Sequence, residues 1–222
     1  MKWMMLVCVL YSVSIISNEK ESPKIPLSIE FKTKTYKNIL GMPGFSDDLL
    51  NMHFTLYAGY VRNTCLLEQE ITALQNKTPI NSLLYGALKR RLAWEFNGMR
   101  LHEMYFENLG GIGDPALAPS LLVLIKQQFG SYESWKKDFM ATGLIRGIGW
   151  VILCRDNATG KLLNIWINEH DVGQLGSSSL LLVMDVWEHA YITEYGLDRD
   201  KYIQAFFANI DWGVVGQRER LK

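Results

Sequence analysis

The stretch Asp185-Val186-Trp187-Glu188-His189-Ala190-Tyr191 follows directly on an apolar run, residues 180–184. A short apolar run of this kind predicts a buried strand, so the stretch begins where that strand ends. It places a carboxylate, Asp185, four residues before an imidazole, His189. Because imidazole and carboxylate together suit Fe, Mn, Zn or Cu, we predict that the stretch supplies half of a metal site.

The chain has four histidines, and the other three are His53, His102 and His170. Each lies in a different segment, so a site that used them all would form only in the folded protein. The three cysteines lie far apart, with no C-x-x-C pair. This argues against a structural zinc site, an iron–sulfur cluster and a disulfide framework.

Composition indicates an ordinary globular protein. At 222 residues and 48% hydrophobic content, the chain can bury a full core as one large domain or two small ones. Lys plus Arg and Asp plus Glu number 23 each. Since this balance provides no broad positive surface, nucleic acid is not a predicted partner.

The N-terminus is predicted to be a leader. Lys2 precedes an apolar run, residues 3–16, which has the length of a signal-peptide core rather than of a membrane span. We therefore expect export, to the periplasm or outside the cell. An uncleaved membrane anchor and a cytoplasmic protein with a poorly ordered leader are the alternatives.

Two long helices are predicted to follow. The turn at Pro43-Gly44 leads to Ser46, a suitable N-cap for a first helix. In this helix His53 and Tyr60 lie on one stripe and should face the same way. The second helix covers residues 80–107, and the short loop between the two makes an antiparallel hairpin.

The second half is predicted to mix helices and strands. Helices are expected at residues 118–129, 132–142 and 202–210, and strands at residues 150–154, 162–167 and 180–184. The fold class is therefore α+β: an N-terminal antiparallel helical hairpin, then an α/β domain with a three-stranded, mostly antiparallel sheet. We place the leader and linker at residues 1–25, the hairpin domain at residues 26–112 and the metal-binding domain at residues 113–222.

Residues 185–191, Leu101-His102-Glu103, and Gly147-x-Gly149-Trp150 carry a resemblance. Together they resemble the iron/manganese superoxide dismutase family, and the similarity runs from about residue 40 to residue 215. The resemblance implies an enzyme that converts superoxide to dioxygen and hydrogen peroxide by redox cycling of one Fe or Mn ion per subunit. Both metals accept the same ligands, so Fe and Mn both stay open.

The resemblance also implies roles for individual residues. The metal ligands would be His53, His102, Asp185 and His189, with one position left for water or hydroxide. Tyr60 would stand at the substrate entrance as a catalytic residue, and Trp187 would wall the site. Arg199 would either draw in anions or form a structural ion pair.

Two departures from the family affect the site. The Tyr follows the first ligand by seven residues here, from His53 to Tyr60, and by eight in familiar members. A bulge absent from this helix would explain the difference. The Gln that the family uses beside the bound solvent is missing, since the helix position is Gly98. His170 is the candidate replacement and the second catalytic residue, although counting back from Asp185 favours Glu169.

A further departure affects the subunit contact. The family is dimeric, and Glu188 would reach the partner's His189 across a twofold axis. Tyr191 would meet a histidine on the partner's first helix, but Leu56 or Tyr57 stands at that position here. We expect a homodimer with an altered polar bridge.

Two other functions remain alternatives. A non-haem iron oxygenase uses two histidines and one carboxylate and keeps more positions open. Coordination by His53 would exclude it, because a fourth protein ligand leaves too little room for an organic cosubstrate and dioxygen. The second alternative is a metal-free structural relative, for which the shortened spacing in the first helix is the only indication.

Overall fold

The computed structural model describes residues 30–77 and 82–220. The predicted leader lies outside these residues, as does residue 80, the predicted start of the second helix. Within the described ranges, no helix combines the length and apolar character needed to cross a bilayer.

The described chain forms helices, then a sheet, then helices. The helices are α1 (Asp47–Gln75), α2 (Leu83–Glu107), α3 (Pro119–Phe129), α4 (Tyr132–Gly143), α5 (Ile192–Tyr195), α6 (Arg199–Ala208) and α7 (Trp212–Arg220). The strands are β1 (Gly149–Asp156), β2 (Leu162–Asn168) and β3 (Ser178–Asp185). The predicted α+β class is confirmed.

Helices α1 and α2 pack against each other as the predicted hairpin. Each begins at a serine N-cap: Ser46 Oγ accepts from Leu49 N at 3.2 Å, and Ser82 Oγ accepts from Tyr85 N at 3.1 Å. Helix α1 is α-helical over its full length. A seven-residue spacing is close to two turns, so His53 and Tyr60 share a face, as predicted.

The sheet has the order β2-β1-β3, and both pairings are antiparallel. The predicted three-stranded sheet is thus confirmed, with every pairing antiparallel. The register sets Trp150 of β1 opposite Asp185 of β3. This pairing places the start of the central strand beside the end of β3, where the predicted metal site begins.

Asn108, just after α2, covers the open edge of β3. Its Nδ2 donates to Val183 O at 3.2 Å, and its Oδ1 accepts from Val183 N at 3.0 Å. The side chain thus replaces the pairing that a further strand would give. These bonds fix the end of α2 against β3 and so set His102 and Asp185 in register with each other.

The predicted closing helix at residues 202–210 is observed as α6, and α7 follows it unpredicted. Asp211 caps α7 by accepting from Val214 N at 3.1 Å. Arg218 of α7 donates to Leu181 O of β3 at 3.0 Å and to Met104 O of α2 at 2.9 Å. One hydrophobic core extends from Tyr36 to Val215 and joins the hairpin to the sheet. The domain boundary at residue 113 stays a prediction.

Candidate metal centre

Four side chains from distant parts of the chain converge beneath the helical hairpin. They are His53 of α1, His102 of α2, Asp185 at the end of β3, and His189 in the turn that follows. One nitrogen or oxygen atom from each lies within 4.8 Å of the other three. The first three residues are buried, and the His189 side chain is 22% exposed. The four residues predicted as ligands are thus brought together.

The carboxylate of Asp185 lies at the middle of this cluster. Its Oδ2 is 3.2 Å from His53 Nε2, 3.3 Å from His189 Nε2 and 3.6 Å from His102 Nε2. Its Oδ1 accepts from Trp187 N at 2.8 Å, which fixes the carboxylate plane. A single ion with ligands about 2.1 Å away, at angles of about 90–120°, separates its ligand atoms by about 3.0–3.6 Å.

Two of the cluster's histidine nitrogens lack hydrogen-bond partners among the described residues. Although His53 Nε2 lies close to Asp185 Oδ2, the two are not aligned for a hydrogen bond. Nε2 of His53 and Nε2 of His102 are both buried and unpaired. Orphaned buried polar atoms are costly, and a metal ion would satisfy both. The residues present therefore fit a metal ion.

His102 is also oriented as a ligand should be. Its Nδ1 lies 2.5 Å from Gly98 O, one turn earlier in α2. A carbonyl only accepts, so Nδ1 carries the hydrogen and Nε2 presents a lone pair to the cluster. Such a second hydrogen bond is the usual support of a metal-binding imidazole.

The protonation states of these side chains also fit a bound metal ion. Burial lowers the pKa of both His53 and His102, so these rings are neutral at pH 7. Burial opposes ionisation of Asp185, but the imidazoles of His189 and His53 hold its carboxyl pKa below the usual range. His53 and His102 thus offer neutral nitrogen lone pairs and Asp185 offers a carboxylate, the forms that bind metal.

Tyr60 and His170 lie together beside the cluster. The Tyr60 ring stacks on that of His102, with centroids 5.1 Å apart. Tyr60 Oη is 2.7 Å from Nε2 of His170, and the His170 side chain is fully buried. Trp150 Nε1 donates to His170 Nδ1 at 3.0 Å. The sequence analysis treated Trp150 only as part of a strand. Its pairing with Asp185 in the sheet would have indicated that it lies beside the cluster, but the sequence does not reveal this pairing.

Glu169 and His170, the two candidates for the same role, differ in backbone conformation and in burial. Glu169 has a positive φ of 53°, a region that non-glycine residues seldom occupy. Glu169 is half-buried, whereas His170 is fully buried with a relative exposure of 0%. Only the carbonyl of Glu169 contributes, by accepting from Trp187 Nε1 at 3.3 Å.

Trp187 packs against two histidines at the cluster. Its ring stacks on His170 at 4.8 Å and on His189 at 5.8 Å. Trp94 of α2 packs edge-on against Trp187 at 6.1 Å and against His170 at 4.9 Å. Two indoles therefore exclude water from one side of His170.

The remaining predicted residues lie on the outer side. Glu188 is exposed, and within the described residues its carboxylate has no ion pair. Arg199 donates to Tyr191 Oη at 3.0 and 3.1 Å and to the carbonyls of Ile145 and Gly147 at 2.9 Å. These three side chains line a surface cavity of about 740 Å³. The partners of Arg199 among the described residues are carbonyls and a hydroxyl, and its role stays a prediction.

Comparison with known proteins gives one consistent result. Residues 118–218 match the family model described as iron/manganese superoxide dismutases, C-terminal domain. The chain is 32% identical to Superoxide dismutase (Mn) 2 of Haloferax volcanii over 193 residues, which are 86% of this chain and 96% of that protein. It is 34% identical to Superoxide dismutase (Fe) of Cupriavidus metallidurans over 181 residues, which are 80% of this chain and 89% of that protein.

A third relative gives the same result. Superoxide dismutase (Fe) of Aquifex aeolicus is 33% identical over 184 residues, 80% of this chain and 85% of the relative. These matches cover most of each relative, and the cluster of three histidines and one aspartate lies inside the matched part of the fold. The chain belongs to the iron/manganese superoxide dismutase family.

Proposed function

We propose that this protein is a superoxide dismutase that converts two superoxide anions and two protons to one dioxygen and one hydrogen peroxide. One observation carries the proposal: three imidazoles and one carboxylate converge in a chain of this family, with two buried Nε2 atoms left unpaired. We propose one Fe or Mn ion per chain, because the relatives' names include both metals.

A bound Fe or Mn ion would supply the one-electron redox couple, which amino-acid side chains alone do not offer. His53, His102, His189 and Asp185 would hold it. The Gly98 carbonyl orients the His102 ring, and the Trp187 backbone N–H orients the Asp185 carboxylate. These supports preset the ligands before any ion arrives and so tune its affinity.

Tyr60 and His170 would handle hydrogen bonding and protons at the opening. Burial raises the pKa of the Tyr60 hydroxyl, so it stays protonated at pH 7. Burial lowers the pKa of His170 to about 4, so its ring is neutral. Trp187 and Trp94 keep this pair out of bulk water, which strengthens each hydrogen bond.

The position of His53 favours a dismutase over a non-haem oxygenase. Its Nε2 lies as close to Asp185 Oδ2 as does that of His189. A fourth protein ligand leaves too little room for an organic cosubstrate and dioxygen together. A metal-free role is disfavoured by the cost of the two orphaned nitrogens.

We further propose a homodimer that covers the cavity beside Glu188. An exposed carboxylate that has no ion pair among the described residues, next to the partly exposed His189, would suit a partner's imidazole. Sedimentation of the wild-type protein and of Glu188→Ala would test this proposal, and a wild-type monomer would refute it. Export is also a proposal, based on the apolar N-terminal run, and N-terminal sequencing of the mature protein tests it.

The proposed activity is tested by loading the full chain separately with Fe and with Mn and following superoxide decay. We expect one bound ion per chain and accelerated decay with at least one metal. Asp185→Asn should lose both, while Asp48→Asn, at an exposed position in the first turn of α1, should keep both. Absence of bound metal, or bound metal without faster decay, would refute the proposal.

A further inference from the structure

His170 is held by a partner at each ring nitrogen. Nδ1 accepts from Trp150 Nε1 at 3.0 Å, and Nε2 lies 2.7 Å from Tyr60 Oη. The ring is fully buried, so both nitrogens depend on these protein partners. The direction of the two hydrogen bonds therefore follows from the chemistry of the partners.

An indole N–H can only donate, so His170 Nδ1 must present its lone pair to Trp150. A neutral imidazole carries one hydrogen, which must then reside on Nε2. Nε2 in turn donates to Tyr60 Oη. The Trp150 indole cannot turn away without cost, because it is fully buried and packs edge-on against His102 at 5.0 Å.

This arrangement leaves the hydrogen of the Tyr60 hydroxyl unused by His170. Among the described residues, no other side chain accepts it. The phenol ring stacks on that of His102, so Tyr60 lies directly beside the ligand cluster. An acceptor that entered beside the cluster would receive this hydrogen bond.

The opposite tautomer of His170 would reverse the hydrogen-bonding role of the Tyr60 hydroxyl. If Nδ1 carried the hydrogen, Tyr60 would donate to Nε2 and present only oxygen lone pairs to the opening. Lone pairs repel an anion, whereas an O–H group attracts it. A single hydrogen bond from Trp150 thus decides which kind of group faces the site.

We propose that Trp150 is a positioning residue that fixes His170 as the Nε2–H tautomer and so makes Tyr60 a hydrogen-bond donor to small anions at the cluster. This inference rests on the proposed function, since it assigns the polarity of that site's opening. The ligand class is a small anion that accepts hydrogen bonds, such as superoxide, fluoride or azide.

The tautomer is measured directly by long-range nitrogen–proton NMR on the full chain, with ¹⁵N-labelled histidine and diamagnetic Zn²⁺. His170→Gln identifies the His170 signals by their loss. We expect a protonated Nε2 and an unprotonated Nδ1 at pH 7. A protonated Nδ1, or an equal mixture of the two forms, overturns the proposal.

A variant series tests the link to anion binding. Trp150→Phe keeps a ring but removes the N–H, and we expect a mixed tautomer and fluoride binding to Fe-loaded protein weakened roughly tenfold. Trp166→Phe is the matched control, since this half-buried indole of β2 has no bond to His170, and it should change neither. Unchanged fluoride affinity in Trp150→Phe overturns the proposal.

These outcomes are separable from those of the dismutase assay. The NMR measurement uses Zn²⁺-loaded protein and no superoxide, so it succeeds or fails independently of turnover. If Trp150→Phe does not fold, the wild-type tautomer alone still decides the proposal. Faster superoxide decay together with an Nδ1–H His170 would uphold the function and refute the inference.

Discussion

Replacing Gly98 by alanine should displace the ring of Tyr60, the proposed catalytic residue, while leaving the fold intact. A Cβ atom at residue 98 would lie 2.6 Å from Cδ1 and 2.7 Å from Cε1 of Tyr60. Ordinary contact begins near 3.4 Å, so the ring must move by about 0.7 Å or more. The bond from Tyr60 to His170, now 2.7 Å, would lengthen or break.

The stability change is a balance of two terms. Alanine in place of glycine within a helix gains about 1 kcal/mol, whereas overpacking of a filled site costs about 1–3 kcal/mol. We therefore expect Gly98→Ala to lose about 0–2 kcal/mol of unfolding free energy. For a chain of this size, that corresponds to a melting temperature lowered by up to about 8 °C.

Gly86 in the same helix provides the matched control. A Cβ there would meet nothing within 4 Å, so Gly86→Ala should gain about 1 kcal/mol and raise the melting temperature by about 2–4 °C. Thermal unfolding and superoxide decay would be measured for both variants. If Gly98→Ala gained as much stability as Gly86→Ala and kept full activity, Tyr60 would not lie where the structure places it.

Three further outcomes are expected. Asn108→Leu removes hydrogen bonds to Val183 and Arg218 at the edge of β3 and should lower the unfolding free energy by about 3–5 kcal/mol in chemical denaturation. The control Asn51→Ala, at an exposed position, should lower it by less than about 0.5 kcal/mol. The pKa of His170 is about 4 in the folded chain, against an ordinary value of 6.5. As pH falls, the unfolded chain therefore takes up this proton before the folded chain does. Metal-free protein should therefore lose about 3 kcal/mol as pH falls from 6.5 to 4, and His170→Gln should lose correspondingly less. Chelation of metal that was present at about one hundred times its dissociation constant should remove about 2.7 kcal/mol and lower the melting temperature by about 5–11 °C.

Each of these outcomes has a contradicting result. An Asn108→Leu protein as stable as Asn51→Ala would show that the edge of β3 does not need its side-chain pairing. Identical pH dependence in wild type and His170→Gln would contradict the buried neutral ring. A melting temperature that does not respond to chelation would show that the metal does not bind the folded chain preferentially.

Local periodicity was sufficient to predict the helix that carries His53 and the strand that ends at Asp185. A regular helix repeats every 3.6 residues, so the seven-residue spacing from His53 to Tyr60 placed both on one face. The apolar run before Asp185 indicated a strand end, and His189 then fell in the following turn. These predictions depend only on short-range geometry, and α1 and β3 agree with them. The grouping of the four ligands was instead implied by the family resemblance, and the cluster agrees with it.

Long-range packing decided what periodicity could not predict. Counting residues back from Asp185 favoured Glu169, because no sequence pattern reveals its positive φ. Helix α7 was missed because Gly213 and Gly216 are poor helix formers. A Cβ at residue 216 would lie 3.0 Å from Ala118 Cβ, so this glycine permits the close packing of α7 instead.

The donor role of Trp150 also lay beyond sequence reasoning. Trp150 and His170 are 20 residues apart in the chain and meet because β1 pairs with β2, which sets Trp150 opposite Ile167, and because the loop after β2 folds back. An aromatic residue in a strand is at first explained by core packing. Its polar nitrogen became informative only when its acceptor was located.

The central claim is that four distant side chains bind one ion, and X-ray absorption of Fe- or Mn-loaded protein tests it most directly. We predict three imidazole nitrogens and one carboxylate oxygen from the protein around each ion, and one imidazole fewer in His53→Ala. A wild-type ion with fewer than three imidazoles, or a His53→Ala spectrum identical to that of the wild type, would contradict the account.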